Sequence, residues 1–147
     1  ILTRQDLAPY DAETAAKVDV AKGAYVVSED AAYDTILIAT GSEVNTALGA
    51  AHILRESGRR IRVVSMPSRE LFLAQSAEYR ESVIPSACGK RVTIEAASTF
   101  GWEKFAGDKG LCIGLDHFGA SAPYKVLAEK FGFTPEAVAK KIAEFFA

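Results

Sequence analysis

Asp34-Thr35-Ile36-Leu37-Ile38-Ala39-Thr40-Gly41-Ser42-Glu43 is the stretch whose reading decides the fold. The run 36–39 is apolar at every position, without the alternation of a half-exposed strand. This is the pattern of a central strand covered on both faces. Gly41 then makes a turn, and Val44, Ala47, Leu48, Ala51 and Leu54 recur at helical spacing until Gly58 ends the segment. Ser42 is expected to cap this helix by accepting a bond from an orphan N–H, and Glu43 suits the positive end of its dipole.

Working outward, Ala24-Tyr25-Val26-Val27 reads as a short strand before the central one. The connection through Ser28-Glu29-Asp30 is too short for a helical crossover, so these two strands are expected to pair antiparallel. Ile61-Arg62-Val63-Val64-Ser65-Met66, Arg91-Val92-Thr93-Ile94-Glu95-Ala96 and Leu111-Cys112-Ile113-Gly114-Leu115 supply three further strands. Between them the sequence predicts a helical turn near 70–72, a helix over 76–83 closed by Pro85, and a helical turn at 102–105. A helix over 122–131 is expected to turn Val126, Leu127 and Phe131 inward. The last helix has Thr134 as N-cap, Pro135 at its first position and Phe133 stapled on Val138, with Val138, Ile142 and Phe145 as the buried stripe. Strands alternating with helices imply a three-layer α/β/α sandwich. Its five-stranded mixed sheet has four parallel strands and one antiparallel, linked by right-handed crossovers. Residues 1–22 read differently: the end of a strand, a break at Pro9-Tyr10-Asp11, and a short amphipathic helix within 12–22 carrying Val18 and Ala21 on one side.

Composition narrows the function. The chain has 147 residues, 49 % of them apolar and 24 % charged, a globular profile of single-domain size. A net charge of −2 with dispersed Lys and Arg leaves no electrostatic footprint for nucleic acid. No apolar run reaches the roughly 18 residues of a membrane helix, and no secretory pattern opens the chain. Because the first residue is Ile, the chain reads as a piece of a longer polypeptide. Cys88 and Cys112 are expected to be reduced, and with His52 and His117 they lack the spacing of a zinc site.

The residues that could carry chemistry have plain structural readings beside functional ones. Thr40-Gly41-Ser42-Glu43 stands where open α/β sheets bind ligands, at a helix N-terminus that favours phosphate, yet no glycine-rich phosphate fingerprint is present. Its plain reading is a turn and a cap. Gly119-Ala120-Ser121-Ala122-Pro123 is similar to a nucleophile elbow but ends in proline, so Ser121 is expected to cap the next helix. Asp116 and His117 either hold their loop or face a neighbour. Glu95 either anchors the following loop or reaches a neighbour's basic group. Phe100, Trp102 and Phe105 form an aromatic cluster that suits an interface or a core. His52 fits a helix surface, and Cys112 a core position.

Asp116-His117-Phe118-Gly119-Ala120-Ser121-Ala122-Pro123 resembles the D-x-F-G-x-S-A-P passage of transketolase C-terminal domains. Leu2-Thr3-Arg4-Gln5-Asp6-Leu7, Ile38-Ala39-Thr40-Gly41-Ser42-Glu43-Val44, Val64-Ser65-Met66-Pro67-Ser68 and Phe131-Gly132-Phe133-Thr134 resemble the same family, in the same order. The resemblance implies a tail of the preceding pyrimidine-binding domain and a linker over 1–22, and a C-terminal domain over 23–147. It implies a cytoplasmic, homodimeric parent in the pentose phosphate pathway, which moves a two-carbon ketol unit between sugar phosphates. That parent uses thiamine diphosphate and Mg or Ca, none of it held by this fragment, which is expected to be non-catalytic and to support dimerisation and domain packing. The family's arginine in this place grips the substrate phosphate, which points to Arg4; a guanidinium fork matches phosphate oxygens. Dihydroxyacetone synthase, a related thiamine enzyme, and a free-standing small-molecule-binding α/β module are the alternative readings.

Overall fold

In the computed structural model, which describes residues 6–147, the strand over 36–39 lies at the centre of the molecule. The expected strand end at the start of the chain, and Arg4 with it, lie outside the described residues. Five strands form one sheet: β1 (Tyr25–Glu29), β2 (Thr35–Ala39), β3 (Ile61–Ser65), β4 (Lys90–Ile94) and β5 (Leu111–Ile113). Their order is β1-β3-β2-β4-β5, with β1 antiparallel to β3 and all other pairs parallel. The mixed sheet has the expected composition, but the first strand has a different partner. β3, not β2, lies against β1.

The reason is local. The short connection after β1 passes over the start of β3 instead of folding back as a hairpin. Asp30 exchanges bonds with Ile61: its N–H donates to the Ile61 carbonyl at 3.1 Å, and its carboxylate accepts the Ile61 N–H at 2.8 Å. Asp34 N–H donates to the Arg60 carbonyl at 3.0 Å. Arg55 completes the clasp, with Nε donating to both Asp30 oxygens at 2.9 and 2.8 Å and Nη2 to Ser28 Oγ at 3.0 Å. A crossover connection is required only between parallel neighbours, so a short link leaves room for a third strand between its ends.

Helices cover both faces. α1 (Ala12–Ala16), capped by Asp11, and a 3₁₀ turn at Val20–Lys22 replace the single helix expected within 12–22. The others are α2 (Glu43–Glu56), α3 (Arg69–Leu73), α4 (Ala77–Val83), α5 (Glu103–Ala106), α6 (Tyr124–Phe131) and α7 (Pro135–Phe145). Leu37 and Ala39 of β2 face α2 and α7 in one apolar cluster, together with Ala47, Leu54, Val138 and Ile142. Ile36 and Ile38 face Phe72, Val83, Trp102 and Phe105 of α3, α4 and α5 in a second. Burying each large apolar side chain stabilises the fold by about 1.5–3 kcal/mol. α2 and α7 approach so closely that a side chain at Gly49 would meet the Pro135 ring at 2.8 Å, which is why that helix position carries glycine.

The last helix begins as expected, with Thr134 Oγ1 accepting from the Ala137 N–H at 3.2 Å and Pro135 at the first turn. Its stripe is shifted: Val138, Ala139 and Ile142 are buried, and Phe145 is 50 % exposed. α6 departs further. It starts at Tyr124 with Pro123 as N-cap, so Ser121 caps nothing. It has no buried residue, and Val126 faces solvent instead of the core. α6 lies at the margin of the sandwich, where only Leu127, Ala128 and Phe131 are partly covered.

The 147-residue chain is expected to unfold in a single cooperative transition in urea, because both sheet faces are closed by its own helices. Asp30→Ala is expected to lower its stability by about 1.5–3 kcal/mol through loss of charge-assisted bonds. Arg55 and the Ile61 N–H hold the Asp30 carboxyl below the usual carboxylate range. That contribution is present above the ordinary carboxylate pKa and lost as pH falls through the depressed one, so the difference between the two proteins narrows in acid.

Candidate functional site

β2 and β4 are neighbours, but the helices that follow them leave toward opposite faces: α2 on one side, α5 on the other. Loops that separate in this way open a crevice at the carboxyl ends of the strands, the usual ligand position in a doubly wound sheet. The residues lining it come from the stretches just past β2 and β4. Gly41, at φ +57°, turns the chain from β2 into α2.

Ser42 does not cap α2. Its backbone is already helical, and its hydroxyl donates to Glu43 Oε1 at 2.8 Å instead of accepting from the helix. The carboxylate of Glu43 therefore occupies the electropositive helix end. Glu95, the first residue after β4, stands close enough for the two charges to interact. Burial pushes its carboxyl up to about 7, the charge of Glu43 pushes the same way, and Arg69 opposes both. Glu95 Oε2 is shielded from solvent and has no hydrogen-bond partner among the described residues. Arg69 is drawn elsewhere: Nη1 donates to the Phe100 carbonyl at 3.2 Å, and the guanidinium lies 5.2 Å from the Trp102 ring centre. Two carboxyl groups thus act on one another in this crevice. An anion entering here meets like charge, whereas a cation or a hydrogen-bond donor meets an unsatisfied acceptor.

The crevice is divided in two. On one side Thr40, Met66, Arg69, Glu95, Phe100 and Trp102 line a cleft of about 650 Å³. On the other, Glu43, Asn45, Thr46, Tyr124, Leu127 and Phe133 line a cavity of about 320 Å³, apolar toward α6. The outer loops are tied together by Asp116. Its carboxylate accepts from the Thr99 N–H at 2.9 Å, Thr99 Oγ1 at 2.8 Å and Ser98 Oγ at 3.2 Å, which holds it below its ordinary pKa. Of the two readings of Asp116, loop anchoring is the one the structure displays. His117 Nδ1 lies 2.8 Å from the Phe118 carbonyl, and its ring packs 5.2 Å from that of Phe131.

The aromatic cluster separates. Trp102 and Phe105 belong to the core with Phe72, whereas Phe100 is 84 % exposed. Cys112 is half-buried at the margin of the same core, and Cys88 and Cys112 are free thiols. His52 is exposed on α2, 3.6 Å from Glu56. Among the described residues no three His, Cys, Asp or Glu side chains are grouped to hold a metal ion. The pairing of Glu43 with Glu95 is absent from the sequence expectations. The signal that could reveal it is an acid just past each of two parallel strands, but only strand order makes those strands adjacent.

The family described as transketolase-like TK C-terminal domain matches residues 23–134. A probable transketolase of Streptococcus pneumoniae serotype 4 is 52 % identical over 144 residues, 97 % of this chain and 21 % of that protein. The transketolase from Leishmania mexicana superposes with a TM-score of 0.78 at 43 % identity, covering 86 % of this chain and 18 % of that one. A transketolase from Pichia stipitis in complex with sedoheptulose-7-phosphate superposes with a TM-score of 0.78 at 38 % identity, covering 90 % of this chain and 18 % of that one. The chain spans about a fifth of the length of the relatives it matches.

Glu95→Gln is expected to stabilise the 147-residue chain above pH 7 by about 1–2 kcal/mol, a value discounted for partial solvent screening. The sign follows from the raised pKa. Between about 4.5 and 7 the folded chain binds the proton more tightly than the unfolded one, so this group's contribution falls as pH rises through that window. Urea titrations at pH 5 and pH 8 are expected to show the variant gaining on the wild type only at the higher pH.

Proposed function

The chain belongs to the family of transketolase-like C-terminal domains, and from that membership we propose that it serves as the C-terminal domain of a transketolase. The observation that carries this reading is the continuity of the likeness. Identity of about half runs through nearly the whole chain instead of gathering at one motif. In this reading residues 1–22 are the tail of a pyrimidine-binding domain with its linker, and 23–147 form the C-terminal domain. The parent is a homodimer that transfers a two-carbon ketol unit between sugar phosphates, the ligand class held by the Pichia stipitis relative. Two free thiols suit a reducing compartment such as the cytosol.

Thiamine diphosphate and a divalent cation supply the carbanion chemistry in such a parent. The described residues do not fit either group. They offer no metal-ligand cluster, and the helix end in the crevice is filled by a carboxylate. No step of the transfer is assigned to them. The domain's contribution is mechanical: a rigid sandwich that supports dimerisation and domain packing, while Arg4 in the preceding segment binds the phosphate of the substrate.

In the intact enzyme Arg4→Ala is expected to reduce kcat/KM for phosphorylated substrates by on the order of ten- to a hundredfold, from loss of a bond worth about 1.5–3 kcal/mol. Unphosphorylated acceptors lose little; equal losses for both classes contradict the assignment. Calorimetric titration of the 147-residue chain with thiamine diphosphate and Mg²⁺ is expected to show no saturable heat at micromolar cofactor.

A further inference from the structure

A further cleft lies between α3, α4 and α5, toward the amino end of β4, and shares no lining residue with the crevice. Its volume is about 240 Å³, and Arg80, Arg91 and Lys104 line it beside Phe72, Leu73 and Ala77. Three cations gathered around one small space repel one another, in a chain whose net charge is −2. Among the described residues no carboxylate pairs with any of the three; the ion pairs join other groups. Glu81 also lines the cleft, but its Oε1 accepts from the Ser86 N–H and the Ser86 hydroxyl, both at 2.7 Å. The two guanidiniums are half-buried and fixed by backbone instead. Arg80 Nη1 donates to the Leu73 carbonyl at 2.6 Å, and Arg91 Nε and Nη2 donate to the Cys88 and Pro85 carbonyls at 2.7 and 2.9 Å. These bonds order the side chains yet leave each positive charge uncompensated. A guanidinium has five N–H donors in a rigid fork, so donors remain for an external acceptor.

We propose that this cleft binds the phosphoryl group of a small phosphate ester, with Arg80, Arg91 and Lys104 around its oxygens and the organic part against Leu73 and Ala77. Two guanidinium forks and an ammonium match a doubly charged group with several acceptor oxygens better than they match a single carboxylate. The volume lies below the roughly 300 Å³ at which pockets begin to enclose larger ligands, so a phosphoryl group with a compact substituent fills it. The site is built from residues of α3, α4, α5 and β4 alone and does not depend on Arg4.

Calorimetric titration of the 147-residue chain with phenyl phosphate, at constant ionic strength, tests this. Saturable binding is expected with a Kd on the order of 1 mM, several-fold tighter than for inorganic phosphate or benzoate. Lys104→Glu reverses the charge of an exposed side chain and leaves the fold untouched, which an unchanged urea midpoint confirms. It is expected to weaken binding about tenfold. Lys104→Arg retains binding, and Lys140→Glu, the same charge change on exposed α7, leaves it at the wild-type value. No saturable binding, equal weakening by Lys140→Glu, or benzoate held as tightly as phenyl phosphate overturns the proposal. Inorganic phosphate held as tightly as the ester assigns the site to the free ion and overturns it as well. Binding lost on Arg4→Ala and kept on Lys104→Glu places the phosphate at Arg4; that result overturns this site and leaves the proposed function standing.

Discussion

The two-sided burial of β2 is the constraint on which the rest of the structure depends. Ile36, Leu37, Ile38 and Ala39 are completely buried, and adjacent residues of a strand point to opposite faces. One layer of helices could shelter only half of them. α2 and α7 therefore close one face, and α3, α4 and α5 the other. The chain must cross the sheet edge between these layers, and β4 is laid against the side of β2 left free by β3. The divergence of α2 and α5, and with it the crevice, is a geometric consequence of covering this strand.

The crevice shows how a common architecture is turned away from its common ligand. Doubly wound sheets often place phosphate at such a helix end. Here Glu43 occupies it, braced by the Ser42 hydroxyl, and Glu95 adds a second carboxyl in a partly desolvated position. Arg69 relieves the pair from a distance while its own hydrogen bond goes to the Phe100 carbonyl. The electrostatics favour a proton or an external cation, and they disfavour an anion.

Interior and margin follow different rules in this chain. β2 and β3 carry side chains that are buried at every position. α6 and the loops before it carry Tyr124, Val126 and Phe118 at positions that this sandwich does not cover. Asp116 nevertheless holds those loops in place, at the cost of ordering exposed backbone.

Local residues were enough to determine the elements themselves. The unbroken apolar run of 36–39 marked the central strand, the 3.6-residue period after Gly41 marked α2, and Thr134-Pro135 marked the start of α7, because each of these signals arises within a few residues of backbone. The five quoted passages, in order, were enough to indicate the family. Tertiary structure alone decided what depends on neighbours distant in sequence. β3 enters between β1 and β2 because Asp30 and Arg55 clasp its start, and no count of connecting residues reveals a third strand. Ser42 lost its expected cap because its backbone had already entered the helix. Val126 and Phe145 face outward, though their spacing suits a buried stripe, because periodicity defines a face but not whether anything packs on it. Glu43 and Glu95 lie far apart in sequence and share one environment only because β2 and β4 are adjacent in the sheet. Burial is a property of the assembled layers, so it emerges only after every strand has found its place.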